Sequence, residues 1–197
     1  IKLSGWTPDK PFYDPMCGSG TLVVEAISYG LNIAPGLNRN FAFEQFVDFD
    51  KEQFEQMKQK AKDAVNYGQK LEIYASDINR TAIEIAKQNF QQIKLDKYVN
   101  FSSGDFLGKD APAAGGVLVT NPPYGIRLDE QEHLADLYPQ VGSHLKKNYA
   151  GWDCYFFTAD LRIPKLFRLK PSRKVPLFNG ALECRLFEFK MVSGSNR

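Results

Sequence analysis

Phe12-Tyr13-Asp14-Pro15-Met16-Cys17-Gly18-Ser19-Gly20-Thr21 decides how the rest of the chain reads. A strand ends at Asp14, Pro15 opens a tight loop with two glycines, and a helical pattern over 21–29 follows at once. Glycine lets the backbone turn sharply and come close to a ligand, while the helix start presents free N–H groups and partial positive charge to an anionic group. A carboxylate or a phosphate can dock there. The loop is not a dinucleotide fingerprint, because Val23 stands where the third glycine would fall, and no Walker Gly-Lys-Ser/Thr follows.

Working outward, β-branched or aromatic runs alternate with amphipathic helical patterns, which predicts βα units building a mostly parallel sheet. A second strand is expected over 71–76, closed by Asp77, then a helix with Ile83, Ala86, Phe90 and Ile93 on one face. A third strand is expected over 98–102, and a short buried fourth, Gly116-Val117-Leu118-Val119-Thr120, runs into Asn121-Pro122-Pro123-Tyr124. Leu134, Leu137, Val141 and Leu145 mark a further helix, and Cys154-Tyr155-Phe156-Phe157-Thr158 a fifth strand. The alternation of Leu182, Cys184, Leu186, Phe187 and Phe189 predicts one or two closing strands, with a hairpin about Asn179-Gly180. Residues 31–69 interrupt the rhythm as an inserted helical segment, in which Phe54, Met57, Ala61 and Ala64 are expected to face the core.

The chain of 197 residues, 43% hydrophobic and 24% charged, is the size of one globular domain with a core that needs no staples. No run approaches the roughly 18 apolar residues that span a bilayer, and the polar start Ile1-Lys2-Leu3-Ser4 does not suit a signal-peptide core. Three dispersed cysteines and two histidines argue against a zinc site or disulfide framework, so no metal is expected and a cytoplasmic location fits. A formal net charge of +2 means that any contact with nucleic acid must come from local clustering.

Asp77, at the end of the second strand, suits a ribose diol, because ligands of open α/β sheets bind at the carboxyl edge. Asp105, in Ser103-Gly104-Asp105-Phe106 after the third, could accept from an adenine amino group. Each acid alone reads equally as a helix or turn cap; three at the ends of successive strands suggest a site. Asn121-Pro122-Pro123-Tyr124 supplies the chemistry. Two adjacent prolines forbid helix and ladder bonding and leave a stiff loop that offers the Asn121 side chain and the Pro122 carbonyl as acceptors. Paired acceptors suit a planar exocyclic amine, whose delocalised lone pair becomes nucleophilic when both N–H groups are drawn toward a pyramidal geometry. Tyr124 is placed to stack on the base that carries it.

Asp14-Pro15-Met16-Cys17-Gly18-Ser19-Gly20-Thr21 with Asn121-Pro122-Pro123-Tyr124-Gly125 resembles the class I S-adenosylmethionine-dependent methyltransferases, specifically the RlmL-like, THUMP-linked family that methylates guanine amino groups of large-subunit ribosomal RNA. The likeness runs on through 33–39, Arg127, Gly151-Trp152 and 179–184, nearly the whole chain. It implies a Rossmann-like, mostly parallel seven-stranded α/β sheet with an antiparallel C-terminal hairpin, and a single catalytic domain over 1–197 without the N-terminal RNA-docking domain usual in the family. Carried over by position, Asp14, Pro15, Met16, Cys17, Gly18, Ser19, Gly20 and Thr21 hold the methionine part of S-adenosylmethionine. Asp77 with Ile78 holds the ribose, Asp105 with Phe106 the adenine, and Asn121, Pro122, Pro123 and Tyr124 the target base, Asn121 also touching the cofactor.

Six cations between Arg162 and Lys174, with no acid from residue 161 to 182, suggest an RNA-tracking segment in which Arg162, Lys165, Arg168 and Lys170 join Arg127. The expected activity is methyl transfer to an exocyclic base nitrogen of RNA, foremost guanine N2 of ribosomal RNA. The same tetrapeptide chemistry also serves adenine N6 or a protein glutamine amide, and a non-catalytic RNA-binding module is the rival outside enzymes.

Overall fold

The first strand, β1 (Phe12–Asp14), turns at once into α1 (Thr21–Gly30), as the glycine loop predicts. The structure, a computed structural model, describes residues 1–123 and 128–193, and of 128–135 the backbone only. After α1 come α2 (Lys51–Asp63), β2 (Ile73–Asp77), α3 (Arg80–Gln92), β3 (Asn100–Ser103), β4 (Gly116–Thr120), α4 (Leu128–Asn148), β5 (Trp152–Thr158), α5 (Ile163–Phe167), β6 (Arg173–Asn179) and β7 (Leu182–Lys190). The seven strands form one sheet in the order β3-β2-β1-β4-β5-β7-β6. Five run parallel, and β7 enters antiparallel between β5 and β6. The Rossmann-like α/β expectation is met.

Period-two burial builds two cores. Phe12, Val117, Val119 and Tyr155 point to the face covered by α1 and α3, where Val23, Ile27, Ile83 and Phe90 are buried. Tyr13, Leu118 and Phe156 point to the other, against Tyr138, Val141 and Leu145 of α4 and Ile163 and Phe167 of α5. Because the chain steps from β1 to β2 and β3 on one side and returns to β4 and β5 on the other, the carboxyl ends of β1 and β4 flank the point where the winding reverses. Ligands of such sheets bind in that crevice.

Several sequence expectations shift. Tyr98 lies in a short 3-10 turn before β3 rather than in the strand, with its hydroxyl on the Tyr67 carbonyl at 2.8 Å. Ile93 is exposed because α3 ends one residue earlier. The insertion does hold a helix, capped by Asp50, but α2 buries only Phe54, and Met57 is 58% exposed. Phe54 packs instead within a local cluster of rings, with Phe41, Phe43 and Phe49 at centroid distances of 5.3 to 6.3 Å. No helix among the described residues is long and apolar enough to cross a membrane.

Candidate cofactor and substrate site

The glycine loop is stitched to the end of β2. The Cys17 amide donates to the Ser76 carbonyl at 2.9 Å, and the Ser76 hydroxyl meets Tyr13 Oη at 2.7 Å and the Pro15 carbonyl at 3.3 Å. The Gly18 amide donates to Asp77 Oδ2 at 2.9 Å. Gly18 and Gly20 take left-handed backbone, with φ of 52° and 90°, and a Cβ on Gly20 would lie 2.7 Å from the ring of Phe90. Backbone conformation favours glycine at both positions, and close packing requires it at Gly20. No side chain caps the first turn of α1, so its leading N–H groups face the carboxyl edge. Burial pushes the Cys17 thiol up to about 12, which keeps it protonated and un-nucleophilic.

Asp14, only 1% exposed, joins the two sequence motifs. Its Oδ1 accepts from Thr120 Oγ1 at 2.7 Å and from the Met16 amide at 3.2 Å. Neither donor reaches Oδ2. Burial pushes its carboxyl up to about 7, outweighing those two hydrogen bonds. Thr120 is the last residue of β4, so this bond fixes the end of the strand that delivers Asn121. Asn121 and Pro123 are exposed and Pro122 is buried. The Pro123 carbonyl accepts from the hydroxyl of Tyr138, a buried α4 residue that packs edge-on against Phe167.

Asp77 Oδ1 also accepts from the Asn79 amide at 2.8 Å, and its backbone carbonyl accepts from Gly104 at 3.0 Å, which draws the β3 turn to the same edge. Ile78 is exposed beside it. Asp105 is exposed but accepts from the Leu107 amide at 3.0 Å, the local capping role that a lone acid suggests. Phe106, expected beside the adenine, follows Asp105. It is buried, with its ring 4.9 Å from His144 and 5.4 Å from Tyr149.

The basic segment is not one strip along the site. Arg162 grips Asp160 with two hydrogen bonds, Nε to Oδ1 at 2.9 Å and Nη2 to Oδ2 at 2.8 Å. Burial alone would raise the Asp160 carboxyl, but that guanidinium holds it below the ordinary carboxylate range. The Arg168 carbonyl accepts from Lys146, Lys165 and Lys170 are exposed, and Arg173 and Lys174 open the outer strand β6. Tyr124 and Arg127 lie outside the described residues. Thr120 and Tyr138 escaped sequence reasoning. Thr120 reads as ordinary strand, and Tyr138 sits beside Leu137 in the helical stripe of α4. A cavity of about 740 Å³ lies in the 31–69 insertion, lined by Phe43, Phe46, Phe49, Phe54 and Met57 together with Asp48, Asp50 and Lys60; none of the strand-end residues or the glycine loop lines it.

A glycine loop, three strand-end acids and an Asn-Pro-Pro turn thus share the carboxyl edge of one sheet, and residues 1–188 match the family model for the UPF0020, RMKL-like methyltransferase domain. The chain belongs to that family. This RMKL-like domain is 38% identical over 192 residues to a Synechocystis protein named "Putative RNA methyltransferase slr0064", covering 97% of the chain and 50% of that protein. It is 36% identical to "Ribosomal RNA large subunit methyltransferase K/L" of Shewanella oneidensis, over 98% of the chain and 28% of that protein. The chain therefore spans half or less of these relatives. Among solved structures, SMU.472 complexed with SAH superposes with a TM-score of 0.91 at 34% identity, over 99% of this chain and 52% of that one. A "predicted N6-adenine-specific DNA methylase" from Listeria monocytogenes gives 0.86 at 36% identity, over 96% and 49%.

Proposed function

We propose that this domain binds S-adenosylmethionine at the carboxyl edge of β1, β2 and β3 and methylates an exocyclic amino group of a base in RNA, namely guanine N2 of large-subunit ribosomal RNA. The observation that carries the reading is the Thr120–Asp14 hydrogen bond, which sets the Asn121 turn beside the glycine loop. The residues present suit the cofactor. Oδ2 of Asp14, which takes no bond from Thr120 or Met16, is assigned to the ammonium group, the loop over 15–20 to the methionine part, and Asp77 and Asp105, following β2 and β3 at the carboxyl edge, to ribose and adenine. When bound, S-adenosylmethionine supplies an electrophilic methyl on a sulfonium sulfur that leaves without an acid.

The chain's own work is positioning. The Asn121 side-chain carbonyl and the Pro122 backbone carbonyl accept the two N–H groups of the amine and aim its lone pair in line with the methyl. Tyr124 stacks on the base, which must first leave any duplex. As the N–C bond forms, the nitrogen sheds a proton to water. His144 is not its acceptor, since Nε2 is paired with the Lys109 carbonyl at 2.9 Å and burial lowers the basicity of the ring. The kinship with RNA methyltransferases of the K/L type supports an RNA substrate, whereas the Listeria neighbour's name favours adenine as the second reading.

The test is transfer of tritiated methyl to unmodified total RNA, followed by nucleoside analysis. Label in N2-methylguanosine is the expected result; label in N6-methyladenosine replaces the target, and label only in protein replaces the substrate class.

A further inference from the structure

The register of the last three strands places an exposed aromatic beside the site. The final pair between β5 and β7 is Thr158 with Arg185, yet β7 and β6 stay paired for three further levels, Cys184 with Leu177, Glu183 with Phe178, and Leu182 with Asn179. At about 3.3 Å per residue the hairpin tip overhangs β5 by roughly 10 Å. The overhang is on the site's side of the sheet, because β5 runs parallel to β4 and Thr120 pairs with Phe156. Only three strand spacings separate β6 from β4, about 14 Å. Gly180, at φ 61°, closes the turn.

The tip presents apolar side chains to solvent. Phe178 is 70% exposed and Leu182 45%. Val175 and Leu177 of β6 pack on the core below, and the alternation turns Phe178 to the opposite face of the strand, with Lys174 four residues earlier. A lone exposed ring is unremarkable by itself. This one stands above the site edge, preceded by the exposed cations Lys170, Arg173 and Lys174 in a stretch with no acid from residue 161 to 182. Its one acidic cross-strand neighbour, Glu183, is neutralised by Arg185 at 2.5 Å.

Resting on the function proposed above, we propose that the β6–β7 hairpin tip is an RNA-docking surface, on which Phe178 stacks a nucleotide a few positions from the target while the exposed Lys170, Arg173 and Lys174 that precede it meet the backbone. An extended single strand leaving the Asn121 turn toward β6 crosses that ring, and base–aromatic stacking suits any sequence. A flanking base held there resists sliding and keeps the target base at the turn.

The experiment compares wild type, Phe178→Ala and Phe178→Trp in the full chain. It measures methyl transfer to ribosomal RNA, anisotropy of a labelled single-stranded RNA, cofactor affinity, melting temperature and sedimentation. Phe178→Ala is expected to raise KM for RNA and weaken RNA binding by about ten-fold or more, the scale of one lost stack. Cofactor affinity and melting temperature should hold, and Phe178→Trp should restore binding. Equal RNA binding by wild type and Phe178→Ala overturns the docking role while leaving the methyltransferase reading intact. Conversion of a wild-type dimer to monomer by Phe178→Ala assigns the tip to self-association and overturns it as well. If wild type transfers no methyl to any RNA, the functional reading fails and the docking role falls with it.

Discussion

Asp14 should make the domain less stable as pH rises through neutrality, the opposite of a surface carboxylate. Burial lifts its folded-state pKa to about 7 from an ordinary 3.8, and at 1.36 kcal/mol per pKa unit that gap corresponds to about 4 kcal/mol. Because the folded-state value is raised, the native protein holds the proton more tightly than the unfolded chain. The stabilisation is complete below 3.8, declines as pH climbs between the two values and is gone above 7. From about pH 5 to pH 8 this group alone removes on the order of 2.5 kcal/mol, which is roughly 5 to 10 °C of melting temperature for a chain of this size.

Asp14→Asn isolates the effect. Thr120 and Met16 both donate to Oδ1, so the amide oxygen keeps both bonds while the amide nitrogen takes the place of Oδ2 and removes the titration. Urea unfolding of both proteins from about pH 5 to pH 8 gives a difference in which every other titrating group cancels. That difference should swing toward the variant by about 2.5 kcal/mol with rising pH. A flat difference would show that Asp14 does not titrate near neutrality, and with it the carboxyl's desolvation would be refuted. On the proposed function the same proton enters binding. A cofactor ammonium at Oδ2 favours the ionised form, so below pH 7 affinity should fall by up to ten-fold per pH unit, with proton release visible as a buffer-dependent heat.

Gly20→Ala forces a Cβ to 2.7 Å from the Phe90 ring at φ 90°, and strain plus overpacking should cost about 2 to 4 kcal/mol by urea unfolding. Phe90→Leu alongside should recover the packing part, and no recovery would place the whole cost in the backbone. Tyr138→Phe leaves the Pro123 carbonyl without its donor; kcat should fall about ten-fold at unchanged cofactor affinity, and an unchanged kcat removes Tyr138 from positioning the turn. Asn121→Ala should lower single-turnover methyl transfer by roughly two orders of magnitude while cofactor titration barely moves, and loss through cofactor binding alone would contradict the assigned role.

What was legible in the sequence was local. Gly18 and Gly20 sit within one strand-to-helix turn, and the closing hairpin announces itself at Asn179-Gly180, so a few adjacent residues carry the geometry. Periodicity carries less. Phe54, Met57, Ala61 and Ala64 do lie on a helix, but a stripe says only that one face is apolar, and here it leaves Met57 exposed beside a private cluster of rings. Charge runs suffer likewise, because the sequence cannot show that Arg162 is spent on Asp160 two residues away. Long-range ties were out of reach. Thr120 lies 106 residues from Asp14, and only the sheet order, which puts β4 beside β1, brings them together.

Those ties divide the site into halves held in different ways. The glycine loop, Asp77 and Asp14 are fixed by bonds that cross between neighbouring strands: Gly18 to Asp77, Cys17 to Ser76, Thr120 to Asp14. Groups locked by the scaffold need little ordering when a ligand arrives, so more of their interaction reaches the binding free energy. Among the described residues the side chains of Asp105 and Arg162 bond only to partners two residues away, and the Asn121 turn is tied at its far end through Tyr138. On the proposed function, ordering on the substrate side must therefore be supplied by the RNA. A wide surface with a stacking ring at the hairpin tip would meet that need, since each flanking nucleotide held outside the turn lowers the cost of presenting one base within it.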